Sequence, residues 1–218
     1  SAAPADLARA AALREEGRVE AVAEADFRPG RPAHRWLMER LDRGVSDPLI
    51  WSEDGGSLTF LFDDDRAVCV GRVPAAGGPV TKLTSGRRTL AGLSSGPGGS
   101  LAVLAGSSSE IPEVHLLEEG GLRKLTGHND ALLAELRLAT SEDFTSRSKD
   151  GTILNGLIVK PADFKAGRKY PTILYIHGGP NGQDGYRFAF DAEFFAAKGY
   201  VVLMVNYRGS SGRGSAFQ

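Results

Sequence analysis

The sequence has little of several features that would point to particular functions. Its one cysteine, Cys69, cannot form an internal disulfide, and its place in an alternating apolar run favours a core thiol in a reducing compartment. The 26 Lys and Arg residues balance 27 Asp and Glu residues, so a net charge of -1 leaves no basic excess for binding nucleic acid. We therefore expect small or peptide partners and a cytoplasmic location.

Long apolar runs are also absent. The run from Tyr200 to Val205 is far shorter than the roughly 20 residues that span a bilayer. No glycine-rich phosphate-binding pattern stands between a strand and a helix. The run Asp63, Asp64 and Asp65 lacks the spaced oxygen ligands of a calcium loop. The sequence thus predicts no membrane segment, no cofactor and no metal, and it predicts a solvated hairpin tip at 63–65.

Short strand candidates recur along the middle of the chain with turn residues between them. Four strands per roughly 40 residues is typical of a β-propeller blade. Two such sets end alike, with V-T-K-L-T from Val80 to Thr84 and L-R-K-L-T from Leu122 to Thr126. The predicted strands are 48–52, 57–62, 67–72 and 79–83 in the first set, and 89–93, 101–105, 113–117 and 122–125 in the second.

The sequence before these sets is less regular. Residues 1–16 suit a short helix, and residues 19–27 and 34–41 can be extended strands of a preceding blade. After the sets, a hairpin is predicted over 142–160, because Asp150-Gly151 favours a tight turn.

A strand, a helix and a parallel strand are predicted at the C-terminal end. The apolar runs at 171–176 and 200–206 are predicted as buried strands. Residues 188–197 have helical spacing, and Gly199 provides a helix end. Together they form one crossover unit of a parallel sheet.

Two loop motifs follow the last two predicted strands. His177-Gly178-Gly179-Pro180 comes directly after the first strand, where a hydrolase of the α/β type presents a backbone N–H to a developing oxyanion. Glycines suit this loop because side chains would block the substrate carbonyl. The second motif, N-Y-R-G-S-S-G, runs from Asn206 to Gly212.

These motifs resemble the prolyl oligopeptidase family, the S9 serine peptidases. The W-S-x-D-G sequence from Trp51 to Gly55 is similar to a blade motif of propellers fused to peptidases, and Asp150-Gly151-Thr152 adds to the resemblance. It covers about residues 45–218 and is strongest to acylaminoacyl-peptidase-like and bacterial dipeptidyl-peptidase members. The fold it implies is a partial β-propeller followed by the N-terminal part of an α/β-hydrolase domain. The implied segments are a blade remnant at 1–44, two blades at 45–128, a connector at 129–140 and the start of the catalytic domain at 141–218.

The resemblance also implies roles for single residues. The backbone N–H of Gly179 is one oxyanion donor, in a loop that includes Gly178. His177 departs from branches that carry a tyrosine there, and it precedes the expected nucleophile, so it cannot be the histidine of a Ser-acid-His order. Loop packing and substrate binding remain open for His177. Arg208 either binds a substrate carbonyl or carboxylate or ties neighbouring loops together.

The catalytic serine is expected outside this chain. The G-L-S-S-G sequence at 92–96 matches G-x-S-x-G, but Ser94 precedes a turn and a short strand rather than a helix. We therefore expect a fragment, inactive alone, of a serine peptidase that cleaves short peptides by acyl transfer. A carboxylesterase-type serine hydrolase and a non-catalytic propeller interaction module are the alternatives, and a homo-oligomer stays open.

Overall fold

The computed structural model describes residues 41–179 and 181–218, which form three four-stranded sheets and two short α-helices. The predictions for residues 1–16, 19–27 and most of 34–41 lie outside the described residues. Every predicted strand or helix that the structure describes has its ends within three residues of the predicted ones. Within the two described ranges, no helix is long and apolar enough to cross a membrane.

The first sheet shows how the W-S-x-D-G motif builds a turn. The strands pair antiparallel in chain order and are β1 (Val45–Trp51), β2 (Ser57–Asp64), β3 (Ala67–Pro74) and β4 (Thr81–Lys82). After β1, the Ser52 hydroxyl donates to a carboxylate oxygen of Asp54 at 2.6 Å and accepts from the Ser57 N–H at 2.9 Å. The same Asp54 oxygen accepts from the Gly56 N–H at 2.8 Å. The motif's polar side chains therefore satisfy the backbone of the turn.

The second sheet has the same strand order, and the buried carboxylate of Glu113 on its third strand binds the chain that follows the sheet. Its antiparallel strands are β5 (Thr89–Ser95), β6 (Leu101–Ser107), β7 (Glu110–Glu118) and β8 (Gly121–Lys124). Glu113 on β7 accepts hydrogen bonds from the Thr126 hydroxyl at 2.5 Å and from the Asn129 backbone at 2.8 Å. The Thr126 hydrogen bond is the main cause that lowers the pKa of Glu113 to about 2. These bonds tie the chain after β8 to the sheet, just before helix α1 (Asp130–Glu135).

The third sheet is mixed. Its strand order is β11–β12–β10–β9, and helix α2 (Phe190–Ala197) lies between β11 and β12 in sequence. As predicted, β11 and β12 pair in parallel, whereas β10 pairs antiparallel with both neighbours. A Cβ at Gly156 would collide with the Met204 carbonyl, so this glycine lets two strands approach closely. The strands are β9 (Thr140–Arg147), β10 (Ile153–Lys160), β11 (Thr172–Tyr175) and β12 (Val201–Asn206).

Strand β11 differs from the sequence prediction. The run at 171–176 predicts a buried strand, but β11 is one of the two outer strands of this sheet among the described residues, and Leu174 and Ile176 are 56% and 67% exposed. Phe190 and Phe194 of α2 are 70% and 49% exposed as well. An apolar run indicates that a strand requires a cover, but it does not identify the segment that supplies one.

The turn between β2 and β3 corrects a second expectation. The sequence predicts a solvated tip at 63–65, but the Asp65 N–H donates to the Gly212 carbonyl at 2.8 Å. The Arg66 N–H donates to the side-chain oxygen of Gln183 at 2.9 Å. Both turn residues have positive φ, 38° for Asp65 and 70° for Arg66. The tip is packed against loops from the C-terminal part of the chain, so the solvated-tip prediction is wrong.

Charged side chains extend this contact. One carboxylate oxygen of Asp143 on β9 accepts from the Arg66 guanidinium and from the Tyr186 hydroxyl, both at 2.9 Å. The other oxygen accepts from Arg87 at 2.6 Å. Burial raises the pKa of Asp63, the residue that enters the turn. We call Asp63, Asp64, Asp65 and Arg66 the docking hairpin.

Two clusters of buried side chains join the sheets. The first cluster combines residues of the first sheet with residues of the mixed sheet, and the second lies between the first and second sheets. Cys69 is a free, buried thiol in the first cluster, as the sequence predicts, and burial raises its pKa. Members of the first cluster include Leu58, Phe60, Cys69, Leu157 and Met204, and members of the second include Leu61, Val70, Leu90 and Val103.

Gly185→Ala tests the docking contact. A Cβ at Gly185 would collide with the Arg66 carbonyl oxygen, so we expect a loss of about 1 to 3 kcal/mol in the free energy of unfolding, measured by denaturant titration. Gly178→Ala is the control, because no atom lies within 4 Å of a Cβ built there. Equal stability of the two variants would contradict the docking contact.

Candidate active site

The two predicted loop motifs meet at one edge of the mixed sheet. His177 follows β11 and Tyr207 follows β12, and parallel strands end at the same edge. The Tyr207 hydroxyl donates to the His177 carbonyl oxygen at 2.6 Å. The two rings stack with centroids 4.6 Å apart and planes 9° apart. The H-G-G-P and N-Y-R-G-S motifs therefore form one connected loop pair.

Ser210 fixes the far side of the histidine ring. Nε2 of His177 lies 2.8 Å from the Ser210 hydroxyl, and Nδ1 lies 3.1 Å from the Gly178 carbonyl oxygen. Ser210 is fully buried, and His177 is 8% exposed. Both ring nitrogens are thus engaged within the loop pair, and the structure places His177 in a packed position.

The glycines of the loop have different surroundings. A Cβ at Gly179 would lie 2.6 Å from the Asn181 nitrogen and 2.7 Å from the Gly182 nitrogen. A Cβ at Gly178 would meet no atom within 4 Å. Gly178 and Gly179 are both exposed. Steric limits within the loop therefore require glycine at 179, and its backbone remains accessible to a ligand.

The same loop also contains a buried carboxyl group. The backbone of Asp184 is bracketed by the Asn206 side chain, which accepts from the Asp184 N–H at 2.8 Å and donates to its carbonyl at 2.9 Å. Asp184 is completely buried, and neither carboxylate oxygen has a hydrogen-bond partner among the described residues. Burial raises its pKa, and electrostatic interactions with His177 and with Arg187, whose guanidinium lies 3.6 Å away, oppose part of that shift.

Arg208 points away from the loop pair toward the hairpin of β9 and β10. Its guanidinium contacts the carboxylate of Asp150 and donates to the Thr152 hydroxyl at 2.9 Å. Hydrogen bonds from Ser148 and then Arg208 lower the pKa of Asp150. Of the two alternatives for Arg208, this geometry favours the one that ties loops together.

Ser94 lies apart from these loops. It is exposed on β5 and pairs antiparallel with Ala102 of β6, in a stretch where the register shifts. It therefore lacks the strand-to-helix setting of a nucleophile elbow. Among the residues that the structure describes, no group of three or more His, Cys, Asp or Glu side chains could hold a metal ion.

Sequence reasoning missed the individual roles of several loop residues. Tyr207 and Ser210 stand inside the N-Y-R-G-S motif, and their presence in that motif is the sequence signal for them. Gln183 bonds the docking hairpin, and Asp184 is the buried acid. Neither of these two belongs to a recognisable pattern, because the hydrogen bonds of Gln183 with Arg66 and of Asp184 with Asn206 join residues distant in sequence.

Comparison with known proteins agrees with this geometry. The model of the prolyl oligopeptidase family matches residues 186–218. A solved acylaminoacyl peptidase, in complex with Z-Gly-Gly-Phe-chloromethyl ketone, has a TM-score of 0.72 and 28% identity to this chain. That similarity covers 83% of this chain and 28% of the solved one. Residues 186–218 thus match the prolyl oligopeptidase family, and most of the described fold is similar to that of a solved acylaminoacyl peptidase.

Two curated peptidases are similar to the chain over stretches of different length. The uncharacterized peptidase YuxL of Bacillus subtilis is 37% identical over 109 residues, which are 50% of this chain and 16% of that protein. Dipeptidyl-peptidase 5 of Porphyromonas gingivalis is 26% identical over 195 residues, which are 87% of this chain and 28% of that protein. The chain therefore spans less than a third of the length of these relatives.

Asp184→Asn tests whether the buried acid is destabilising. The folded chain keeps this carboxyl protonated to higher pH than the unfolded chain does, so its stabilising contribution is present at low pH and lost as pH rises through the folded-state pKa. We expect the variant to be about 1 to 3 kcal/mol more stable than the unsubstituted chain near pH 7. The gain should shrink as the pH falls and the folded chain increasingly holds this carboxyl in its neutral form.

Thermal unfolding at several pH values measures this effect. Asp163→Asn, at an exposed position, is the control and should change stability little at any pH. A gain in Asp184→Asn that does not depend on pH would show that the charge of the carboxylate is not its cause.

Proposed function

We propose that this chain is part of a serine peptidase that hydrolyses short peptides by acyl transfer, and that it contributes the backbone N–H of Gly179 to the oxyanion hole. The observation that carries the proposal is the exposed Gly179 backbone, in a loop that starts at the end of β11 and is braced by the loop after β12. The names of the relatives, a dipeptidyl-peptidase and acylaminoacyl peptidases, support a peptide substrate.

The proposal includes an architecture for the whole protein. The two antiparallel sheets are blades of a β-propeller at 45–128, after a remnant of an earlier blade at 1–44. A connector at 129–140 leads to the N-terminal part of an α/β-hydrolase domain at 141–218. The repeated strand order of the first two sheets supports the blades. Exposed apolar residues on β11 and α2 support further strands and helices of a hydrolase sheet as their cover.

The reaction divides the work between this chain and residues outside it. A serine beyond residues 1–218 attacks the scissile carbonyl carbon while a histidine accepts the proton of the serine hydroxyl. The carbonyl oxygen becomes an oxyanion. The Gly179 N–H and a second donor stabilise that charge. The histidine then protonates the leaving amine, and water releases the acyl group by the reverse path.

A fluorophosphonate probe tests where the nucleophile lies. We expect no labelling of residues 1–218 alone, because Ser94 is paired in an antiparallel sheet. We expect labelling of a longer chain that joins these residues to the family's G-x-S-x-G, Asp and His segments. If residues 1–218 are labelled and Ser94→Ala removes the label, the proposed location of the nucleophile is wrong.

Gly179→Ala in the active longer chain tests the oxyanion donor. The added Cβ would force apart the backbone of the loop, so kcat should fall by about 10²- to 10³-fold with a smaller change in KM. Ser94→Ala is the control and should leave both constants unchanged. A rise in KM at constant kcat would mean that Gly179 binds the ground state only.

A further inference from the structure

We propose that His177 is a positioning residue that sets the direction of the Gly179 N–H, and that Ser210 and Tyr207 hold the histidine ring for this purpose. This inference rests on the proposed function in that the N–H it orients is the proposed oxyanion donor. Because the triad histidine follows the serine in the Ser-acid-His order, His177 is not the proton-transfer residue, and the proposal gives it a different task.

The peptide group between Gly178 and Gly179 carries both the atom that His177 contacts and the proposed donor. The carbonyl of Gly178 and the N–H of Gly179 belong to the same planar group, and in a trans peptide they point in opposite directions. Nδ1 of His177 lies 3.1 Å from that carbonyl oxygen. A hydrogen bond that fixes the carbonyl on the side of the imidazole therefore turns the Gly179 N–H to the opposite side.

The partners of the His177 ring determine which of its nitrogens carries the proton. Nδ1 must carry a proton to donate to the Gly178 carbonyl, so in the neutral ring Nε2 is an acceptor. The Ser210 hydroxyl, 2.8 Å from Nε2, can donate to it. A neutral ring with its proton only on Nε2 would direct the Nδ1 lone pair at a carbonyl oxygen. Ser210 and Gly178 together therefore select the Nδ1–H tautomer.

Tyr207 fixes the plane of the His177 ring. Tyr207 stacks on the imidazole with an angle of 9° between the planes, and its hydroxyl donates to the His177 carbonyl at 2.6 Å. Burial of His177 and Ser210 leaves little room for another rotamer. The ring is thus fixed by a stacked face, by both nitrogens and by the backbone of its own residue.

Gly182 gives independent support. A Cβ at this position would lie 2.7 Å from the Gly178 carbonyl oxygen, so any side chain would press on the atom that His177 holds. The Gly182 carbonyl accepts from the Ser211 N–H at 3.0 Å, which joins this end of the loop to the N-Y-R-G-S segment. Two separate features thus protect the orientation of one peptide unit.

A direct test reads the tautomer by ¹⁵N-edited NMR of the histidine ring in this chain near neutral pH. We expect the proton on Nδ1 of His177, and Ser210→Ala should shift the Nε2 resonance, whereas the control Ser94→Ala should not. A neutral ring protonated on Nε2 alone would overturn the proposal. This measurement needs no enzymatic activity, so it stands even if the probe experiment refutes the proposed function.

Kinetics of the active longer chain give a second test. An asparagine amide can take the place of Nδ1 and a glutamine amide that of Nε2, so His177→Asn should retain more kcat than His177→Gln. We expect the glutamine variant and Ser210→Ala to lower kcat by about 10- to 100-fold with a smaller change in KM. His128→Gln, at an exposed histidine, is the control.

Two outcomes of the kinetics would overturn the proposal. Equal losses in His177→Asn and His177→Gln would show that the contact with Gly178 is not what matters. A change in KM without a change in kcat would show that His177 binds substrate rather than orients a donor. The NMR measurement decides the case if a variant fails to fold, because it reads the unsubstituted ring.

Discussion

The turn at Asp65 and Arg66 is the contact on which the arrangement of the sheets depends. Two consecutive non-glycine residues with positive φ cost about 1 to 2 kcal/mol each, so the surroundings must compensate. They do so through backbone and side-chain hydrogen bonds to Gly212 and Gln183 and through the charges around Asp143. The shared apolar cluster of the first and mixed sheets lies behind these bonds. Polar contacts fix the register of this interface, and the apolar cluster supplies its burial.

The loop after β11 depends on this interface as well as on its own glycines. Gln183, four residues after Gly179, donates to the Ala67 carbonyl at 3.2 Å while accepting from the Arg66 N–H. At the other side, the loop after β12 supplies Tyr207 and Ser210. The buried carboxyl of Asp184 has no hydrogen bond among the described residues and lies 3.6 Å from the Arg187 guanidinium, so its burial adds a destabilising element. A loop held from two sides can retain such a group, because the surrounding contacts outweigh it.

Local sequence patterns were sufficient to predict the strands, because their turns are made by neighbouring residues. Ser52 and Asp54 build the first turn within one short motif, and Gly151 with a φ of 88° builds the β9–β10 turn. The same reasoning failed for the docking hairpin, since three aspartates are typical of a solvated tip and the loop residues that cover the turn, Gly212 and Gln183, lie more than 100 residues away. It identified the Gly178–Gly179 loop from its motif, but ring contacts such as that of His177 with Ser210 depend on three-dimensional packing that no spacing rule encodes.

The docking hairpin also connects the first sheet to the loop that carries Gly179. The turn at Arg66 bonds Gln183, which belongs to the same loop as Gly179. Without the first sheet, the Gln183 amide and the Tyr186 N–H would lose their partners, and the loop would lose one of its two supports. Because donor geometry tolerates little displacement, the first sheet helps to position the proposed oxyanion donor.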